Sequence, residues 1–181
     1  MARKQNRRKA SPAAAILTVL VLAALFVWRM LGSPEDGKTQ ITLPNGELHV
    51  WFLDVGQADS SLLVCDGQAM LIDGGNVDDA SYVVASLEQY GVTSLDYVIN
   101  THCDEDHVGG LAGVLAKFPA EHVWSSTAEY GTKAFSNFVK YANEQGRAIE
   151  IPSPGDTFTL GEAEITVLGP LRDYENNNEN S

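Results

Sequence analysis

Two histidines and three acidic residues are crowded into the segment NTHCDEDHVGG, which covers residues 100–110. The segment includes the end of an apolar run, LDYVIN, and leads into a run of small residues, VGGLAGVL. Like charges at such short separations repel one another, so the segment is costly unless something compensates its negative charge. Histidine and carboxylate together suit divalent cations such as zinc, manganese or iron. The segment is therefore predicted to be a metal-binding loop held at the end of a buried strand.

The candidate ligands follow the pattern His-x-Asp-x-Asp-His: His102, Asp104, Asp106 and His107. A structural alternative explains some of the acids, because acidic residues stabilise a helix N-terminus and Asp106 could cap a helix that starts near Val108. An imidazole gains nothing special at such a position, so this alternative leaves both histidines unexplained. Cys103 and Glu105 occupy the positions between ligands, and their side chains are expected to point elsewhere.

Strand and helix patterns alternate after residue 47, which indicates a mixed α/β layered domain. ELHVWFLD, LDYVIN, EHVWSS, AIEIP, TFTL and EITVL are predicted strands, and SSLLVCDGQAMLIDGG is predicted to be two strands joined at Asp66-Gly67. Helices are predicted for ASYVVASLEQYG, for VGGLAGVLAKF and for TKAFSNFVKYANEQG. Inward positions of the last helix are Phe135, Phe138, Val139 and Ala142. In this arrangement the metal-binding loop joins a buried strand to a helix.

The first 31 residues differ in character from the rest. Residues 1–12 carry five basic residues and no acid, and residues 13–31 form an apolar segment interrupted only by Arg29. As a helix that segment would be about 28 Å long, close to the roughly 30 Å of a hydrocarbon core. The charge asymmetry predicts a single-pass transmembrane signal-anchor in the cell membrane, with a basic cytoplasmic tail and an extracellular C-terminal domain. A cleaved signal peptide, which would leave a secreted domain, is the alternative.

The remainder of the chain is acidic. From residue 30 onward there are six basic and 24 acidic residues, a net charge of −18, which argues against a basic nucleic-acid groove. Residues 32–46 are rich in Gly, Pro and polar residues and are predicted to be a linker, so the folded domain is assigned to residues 47–181. Cys65 and Cys103 are too few for a disulfide framework. They could pair in an external domain, but the sequence gives no distance between them.

The ligand pattern, followed by Val108-Gly109-Gly110, resembles the metal signature of metallo-β-lactamase-fold hydrolases. Its HxDxDH form, with Asp104 where many members have a second histidine, is similar to the branch typified by the external domain of the DNA-uptake competence protein ComEC. FLDVGQADS (residues 52–60) resembles the early loop of that branch, although Ala58 replaces the customary glycine. LIDGG (residues 71–75) resembles the Asp-bearing turn that follows. The order and spacing of the three motifs agree, and the resemblance covers the whole predicted domain.

The resemblance implies a four-layer αβ/βα sandwich, an α+β arrangement within the broad α/β class, with a metal site at one sheet edge. It implies two divalent cations, the first held by His102 and Asp104 and the second by Asp106 and His107. A water between them would be the nucleophile, and Asp106 would orient it as the catalytic residue. Zinc is the first expectation. Manganese or magnesium should compete better than at an all-histidine site, because Asp104 makes the donor set harder.

Four residues of the two resembling loops are candidates to orient the ligands or to contact substrate: Asp54, Gln57, Asp59 and Asp73. Ordinary loop capping is the alternative for Asp54 and Asp59, and a turn role is the alternative for Asp73. His49 and His122 lie on predicted strands and are expected to be structural.

The family pattern also requires a third histidine, a bridging aspartate and a further histidine from the second half of the domain. After His107 the sequence contains only His122, which comes too early for these roles. The chain is therefore expected to be a fragment that holds the N-terminal half to two-thirds of the domain. The resulting prediction is that residues 1–181 alone fold poorly and lack hydrolase activity.

Together these features predict a membrane-anchored extracellular metal-dependent hydrolase, phosphodiesterase-like or nuclease-like, that acts on a small-molecule or phosphodiester substrate. DNA as substrate follows from the resemblance alone, and no protein partner is predicted. Hydrolysis of β-lactams is disfavoured because Asp104 departs from the histidine common in those enzymes. The alternative, from a different class, is a catalytically silent, metal-stabilised binding module on the cell surface. A reading frame that continues past Ser181 would favour the enzyme.

Overall fold

The computed structural model describes residues 43–169. Its centre is a six-stranded sheet in the order β1-β2-β3-β4-β5-β6, and two further strands, β7 and β8, form a separate hairpin. The strands are β1 (His49–Phe52), β2 (Ser61–Cys65), β3 (Gln68–Ile72), β4 (Leu95–Asn100), β5 (Ala120–Ser125), β6 (Ile149–Glu150), β7 (Thr157–Leu160) and β8 (Ala163–Thr166). The helices are α1 (Ala80–Gln89), α2 (Glu105–Val108), α3 (Leu111–Lys117) and α4 (Lys133–Glu144), with a 3₁₀ turn at Val77–Asp79.

Among residues 43–169 no helix has the length and apolar character needed to span a bilayer. Residues 13–31, for which the sequence predicts a signal-anchor, lie outside the described residues. The basic tail at residues 1–12 and most of the predicted linker lie outside them as well.

Strand direction brings several loops to one edge of the sheet. β1, β2 and β3 pair antiparallel, whereas β3, β4, β5 and β6 run parallel to one another. The ends of the parallel strands therefore lie at the same edge, where the β1–β2 loop also lies. The β2–β3 connection turns at Asp66 and Gly67, both with positive φ (50° and 81°), which confirms the predicted two-residue hairpin.

Helices cover one face of the sheet. Apolar side chains of alternate strand positions, such as Leu62, Leu71, Val98 and Val123, share a single core with the helices. Helix α4 contributes the side chains that its sequence pattern predicts, because Ala134, Phe135, Phe138 and Ala142 are buried and Val139 packs at the margin of the core. This layer holds the segment from β4 to α3 in place, and that segment contains the metal-binding loop.

The β7–β8 hairpin packs on the opposite face, against Met70 and Tyr97. The backbone N–H of Glu162, in the hairpin turn, donates to the carboxylate of Asp66 at 2.9 Å, and the N–H of Gly46 donates to the same carboxylate at 2.7 Å. The bond from Gly46, followed by the bond from Glu162, holds the pKa of Asp66 below its usual range. Residues 43–169 thus form helix, sheet and hairpin layers, which are three of the four layers predicted from the sequence.

One local expectation needs correction, and two further features of the chain could not be read from the sequence. VGGLAGVLAKF does not form one helix, because the chain bends at Gly109-Gly110 and α2 begins earlier, at Glu105. Strand β1 turns its apolar alternate positions outward, and Phe52 is 83% exposed. The two cysteines are buried and free, so the structure contains no bond between Cys65 and Cys103.

Candidate metal centre

The residues of the predicted site meet because they follow neighbouring strands. Asp73 comes directly after β3, Thr101 and His102 come directly after β4, and the loop that carries Tyr130 comes after β5. The loop of residues 53–60, between β1 and β2, reaches the same edge from the antiparallel side. Loops at the carboxyl ends of parallel strands are where open α/β sheets bind their ligands.

His102 and His107 stand against each other, with ring centroids 3.7 Å apart and planes inclined by 51°. One ligand atom from each ring and one carboxylate oxygen of Asp106 lie within 4.8 Å of one another; these three residues are called the ligand cluster below. The structure thus brings together three of the four predicted ligands. The fourth, Asp104, lies beside His102 alone, with its Oδ2 3.8 Å from His102 Nε2.

The acids of the metal-binding loop do not serve as helix caps. Asp104, at the N-cap of α2, makes no capping hydrogen bond with its side chain, and Asp106 lies within the first turn. The alternative in which Asp106 caps a helix near Val108 is therefore wrong. The carboxylates remain available to ligands.

Asp73 fixes the orientation of His107 from behind. This carboxylate is only 3% exposed, and its Oδ2 lies 2.8 Å from His107 Nδ1. It also accepts hydrogen bonds from Thr101, through the backbone N–H at 2.8 Å and the hydroxyl at 2.6 Å. A carboxylate has only acceptor oxygens, so His107 carries its hydrogen on Nδ1 in the neutral form, which presents a lone pair at Nε2. An orienting role for Asp73 toward a metal ligand stays a prediction.

Thr101 orients the other histidine, His102, in a similar way. Its single hydroxyl proton goes to Asp73, so its oxygen can only accept from His102 Nδ1, 3.3 Å away. Neutral His102 therefore also carries its hydrogen on Nδ1, with its lone pair at Nε2. Both imidazoles present lone pairs on the outer side, as metal ligands do when a neighbouring oxygen holds the other ring nitrogen.

Replacing Asp73 by asparagine is expected to weaken Zn²⁺ binding by about 100-fold, the upper end of what partners of ligands contribute. Asparagine tolerates the positive φ of 59° at this position, so the turn survives. Its amide would donate to His107 Nδ1, which moves the ring hydrogen to Nε2 and removes the lone pair. Competition with a chromophoric chelator measures the affinity, and nitrogen-15 NMR of the imidazole reports the tautomer.

The matched control is Asp96→Asn, because Asp96 accepts a comparable backbone hydrogen bond from Ala69 at 2.8 Å but lies at the start of β4, away from the site. It should leave the metal affinity unchanged. Equal affinities for the Asp73→Asn variant and the unaltered chain would show that Asp73 does not control the tautomer.

Tyr130 and Thr101 are site residues that sequence reasoning missed. The Tyr130 hydroxyl donates to Asp104 Oδ1 at 3.4 Å. Burial, followed by the charge of Asp104, raises the pKa of this hydroxyl, so it stays protonated as a donor. Thr101 could have been noticed as the residue between a predicted strand and His102. Nothing in the sequence connects Tyr130 to Asp104, because they meet only through the fold.

The residues of the β1–β2 loop differ in their placement. Asp59 reaches the site, with its Oδ2 3.5 Å from His107 Nε2. Asp54 and Gln57 are exposed, and within residues 43–169 no hydrogen bond or ion pair joins them to the histidines. Their predicted role near the ligands or substrate stays a prediction.

Four glycines bring the turn of residues 73–75 into direct contact with the metal-binding loop. The backbone N–H of Gly74 donates to the carbonyl of His107 at 2.7 Å, and that of Gly110 donates to the carbonyl of Gly75 at 3.0 Å. A Cβ atom at Gly110 would lie 2.0 Å from the carbonyl oxygen of Gly74, and one at Gly109 would lie 2.4 Å from a backbone nitrogen. The small-residue run after the ligands is thus required for the close approach of the backbones.

Cys103 and His122 lie apart from the ligand cluster. Cys103 is buried beside Asn100, with 3.7 Å from the Asn100 amide nitrogen to its sulfur, and burial raises the pKa of its thiol. His122 stacks on Tyr97 and has its Nδ1 3.1 Å from Glu150. These placements agree with the non-ligand roles predicted for both residues.

The donor set fits a divalent cation. Two imidazole lone pairs and several carboxylate oxygens converge, and within residues 43–169 neither lysine nor arginine forms an ion pair with Asp59, Asp104 or Asp106. Nitrogen and carboxylate donors of this kind bind zinc, manganese or iron. A cation would also relieve the repulsion among the carboxylates.

The chain matches known proteins over this domain. The family model described as Metallo-beta-lactamase superfamily matches residues 53–174. Competence protein ComA of Neisseria gonorrhoeae is 33% identical over 113 residues, which are 62% of this chain and 15% of that protein. Recombination protein 2 of Haemophilus influenzae is 30% identical over 116 residues, which are 59% of this chain and 14% of that protein. The matches thus span about one seventh of the relatives' own length, and they confirm the competence-like resemblance.

A solved structure supports the fold. MEM-A1, a subclass B3 metallo-beta-lactamase isolated from a soil metagenome library, superposes with a TM-score of 0.51 at 19% identity, covering 71% of this chain and 53% of that one. At this identity the likeness concerns the fold alone. The mixed α/β fold predicted from the sequence is confirmed.

Proposed function

Because the chain belongs to the metallo-beta-lactamase superfamily, we propose that its domain serves a metal-dependent hydrolase of the competence-like branch that cleaves phosphodiester bonds outside the cell. Membership supports metal-dependent hydrolysis in general. The single observation that carries the proposal is the convergence of His102, Asp106 and His107 within 4.8 Å, with both ring hydrogens held on Nδ1 by Thr101 and Asp73.

Two divalent cations, zinc first and manganese or magnesium as alternatives, are proposed at this site. His102 and Asp104 would hold one, and Asp106 and His107 the other. When bound, such cations lower the pKa of water and stabilise negative charge on phosphoryl oxygens. Asp106 stands within reach of both histidines and is proposed to orient the attacking water and accept its proton. Tyr130 keeps Asp104 directed toward His102.

A phosphodiester substrate is supported by relatives named for competence and recombination. The acidic character of the domain works against tight binding of nucleic acid, because that affinity comes largely from cationic contacts. We therefore expect turnover of small phosphodiesters to be easier to detect than binding of DNA. A location at the outer face of the membrane, with residues 13–31 as the anchor, is part of the same proposal and is supported by the charge asymmetry of the N-terminus.

The test is hydrolysis of bis(p-nitrophenyl) phosphate by the product of the complete reading frame, compared with the 181-residue chain. Turnover should appear with added Zn²⁺ or Mn²⁺ and fall to background after dialysis against a chelator. Restoration on adding the metal back would distinguish loss of the cation from loss of the fold. If the complete product binds metal but shows no turnover of phosphodiesters, the proposed activity is wrong.

The alternative, a metal-stabilised binding module without activity, is favoured by one observation. Only two of the four histidines in the sequence reach the ligand cluster, because His49 stacks on Trp51 and His122 stacks on Tyr97. A complete product whose melting temperature rises with Zn²⁺, and which hydrolyses neither phosphodiesters nor carboxylic esters, would support this module.

A further inference from the structure

Asp59 is held in place by its backbone on both sides. Its N–H donates to the carbonyl of Asp106 at 3.1 Å, and its carbonyl accepts from the N–H of Gly75 at 2.8 Å. These two bonds join the β1–β2 loop to the metal-binding loop and to the turn of residues 73–75. The Asp59 side chain is therefore directed by a fixed backbone, although 73% of it is exposed.

The carboxylate of Asp59 faces the outer nitrogen of the His107 ring. Its Oδ2 lies 3.5 Å from His107 Nε2, and Asp106 Oδ2 lies 3.9 Å from the same nitrogen. On the other side of the ring, Asp73 Oδ2 lies 2.8 Å from Nδ1. Two carboxylates thus approach the outer nitrogen of one imidazole, and a cation between them would relieve the repulsion of the carboxylates.

The separations match those of ligands around one metal ion. Two donors bound at about 2.1 Å in a tetrahedral site stand about 3.4 Å apart. The distance of 3.5 Å between Asp59 and His107 is close to this value, and it is too long for a strong hydrogen bond between a charged imidazole and a carboxylate.

We propose that Asp59 is a direct oxygen ligand of the cation held by His107 and Asp106. This inference rests on the metal site of the proposed function and adds a fifth ligand, from the β1–β2 loop, to the four in the metal-binding loop. Asp59 makes the His107 half of the site a set of one imidazole and two carboxylates. Such a set is hard enough to favour Mn²⁺ relative to sites richer in histidine.

The experiment measures the Mn²⁺ affinity of the product of the complete reading frame by electron paramagnetic resonance, in which free Mn²⁺ is counted directly. Asp59→Asn is expected to weaken binding by about tenfold, because an exposed oxygen ligand can be partly replaced by water. The matched control is Glu105→Gln, which removes the same charge from an exposed acid of the metal-binding loop. It should change the affinity by less than about threefold.

A second pair of variants tests whether Asp59 binds the metal directly or only orients His107. In Asp59→Cys loaded with Co²⁺, a thiolate ligand gives an intense near-ultraviolet charge-transfer band, which a residue acting only through His107 cannot produce. Glu105→Cys should lack the band. Circular dichroism in the presence of chelator checks that each variant is folded.

The outcomes are distinguishable. Asp59→Asn with the Mn²⁺ affinity of the unaltered chain, or Asp59→Cys without a charge-transfer band, would overturn the assignment of Asp59 and leave the proposed function standing. An unaltered chain that binds neither Mn²⁺ nor Co²⁺ would overturn both. The tenfold loss together with the band would establish Asp59 as a ligand.

Discussion

Replacing His102 by alanine in the product of the complete reading frame is expected to leave the protein folded and to weaken binding of Zn²⁺ or Mn²⁺ by more than about 100-fold, so that no metal-dependent hydrolysis remains. His102 supplies one of the two imidazoles of the ligand cluster, with its ring 3.7 Å from that of His107. Binding free energies of structural zinc sites divided among their ligands give about 3 kcal/mol for each. Removing His102 also leaves Asp104 without the partner whose Nε2 lies 3.8 Å away.

The matched control is His122→Ala, which removes an imidazole of the adjacent strand β5. His122 is held by Glu150 and by stacking on Tyr97, so its loss should cost some stability without changing metal affinity. Competition with a chromophoric chelator gives the dissociation constants, and thermal unfolding in the presence of chelator compares the folds. A His102→Ala variant with unaltered affinity would mean that the cluster is not the metal site.

Replacing Gly110 by alanine is expected to destabilise the domain by about 3 kcal/mol or more and to abolish metal binding. The added Cβ would lie 2.0 Å from the carbonyl oxygen of Gly74, which is backbone and cannot rotate away. Relief of this clash requires the turn of residues 73–75 to separate from the metal-binding loop. Asp73 would then move away from His107 and Thr101, and the control of both tautomers would be lost.

Gly131→Ala is the control for this substitution, because a Cβ at Gly131 would meet nothing within 4 Å. It should change the free energy of unfolding by less than about 0.5 kcal/mol. Denaturant titration with and without Zn²⁺ measures both variants. If Gly110→Ala unfolds at the same denaturant concentration as the unaltered chain, the close contact between the two turns is not required.

Elements whose determinants are local could be predicted from the sequence. Asp66-Gly67 between two alternating runs predicted the β2–β3 hairpin, and the spacing of Phe135, Phe138 and Ala142 predicted α4. The bend at Gly109-Gly110 could not be predicted from helix periodicity, because its cause is the backbone of Gly74 and Gly75, which lies more than thirty residues away. The outward turn of Val50 and Phe52 has a similar origin, since the sheet packing decides which face of β1 is covered.

In the candidate site, too, the features set by neighbouring residues could be predicted and those set by distant residues could not. The spacing of His102, Asp104, Asp106 and His107 indicated the metal-binding loop, and Asp73 was predicted to act near it. The sequence could not show that His102, Asp106 and His107 cluster while Asp104 lies apart, because this depends on the directions of the side chains at the start of α2. Of the two residues that donate to these carboxylates, Thr101 is marked in the sequence only by its place before His102, and Tyr130 is not marked at all.

The bonds that hold the metal-binding loop and those that hold the β7–β8 hairpin enclose very different lengths of chain. Asp73 bonds to Thr101 and His107, 28 and 34 residues away, whereas the bonds from Gly161 to Gln68 and from Glu162 to Asp66 span 93 and 96 residues. Shorter loops cost less entropy to close and tend to close sooner. We therefore expect the donors of the site to assemble while the hairpin is still undocked, so a folding chain would capture its cation before that face of the sheet is covered.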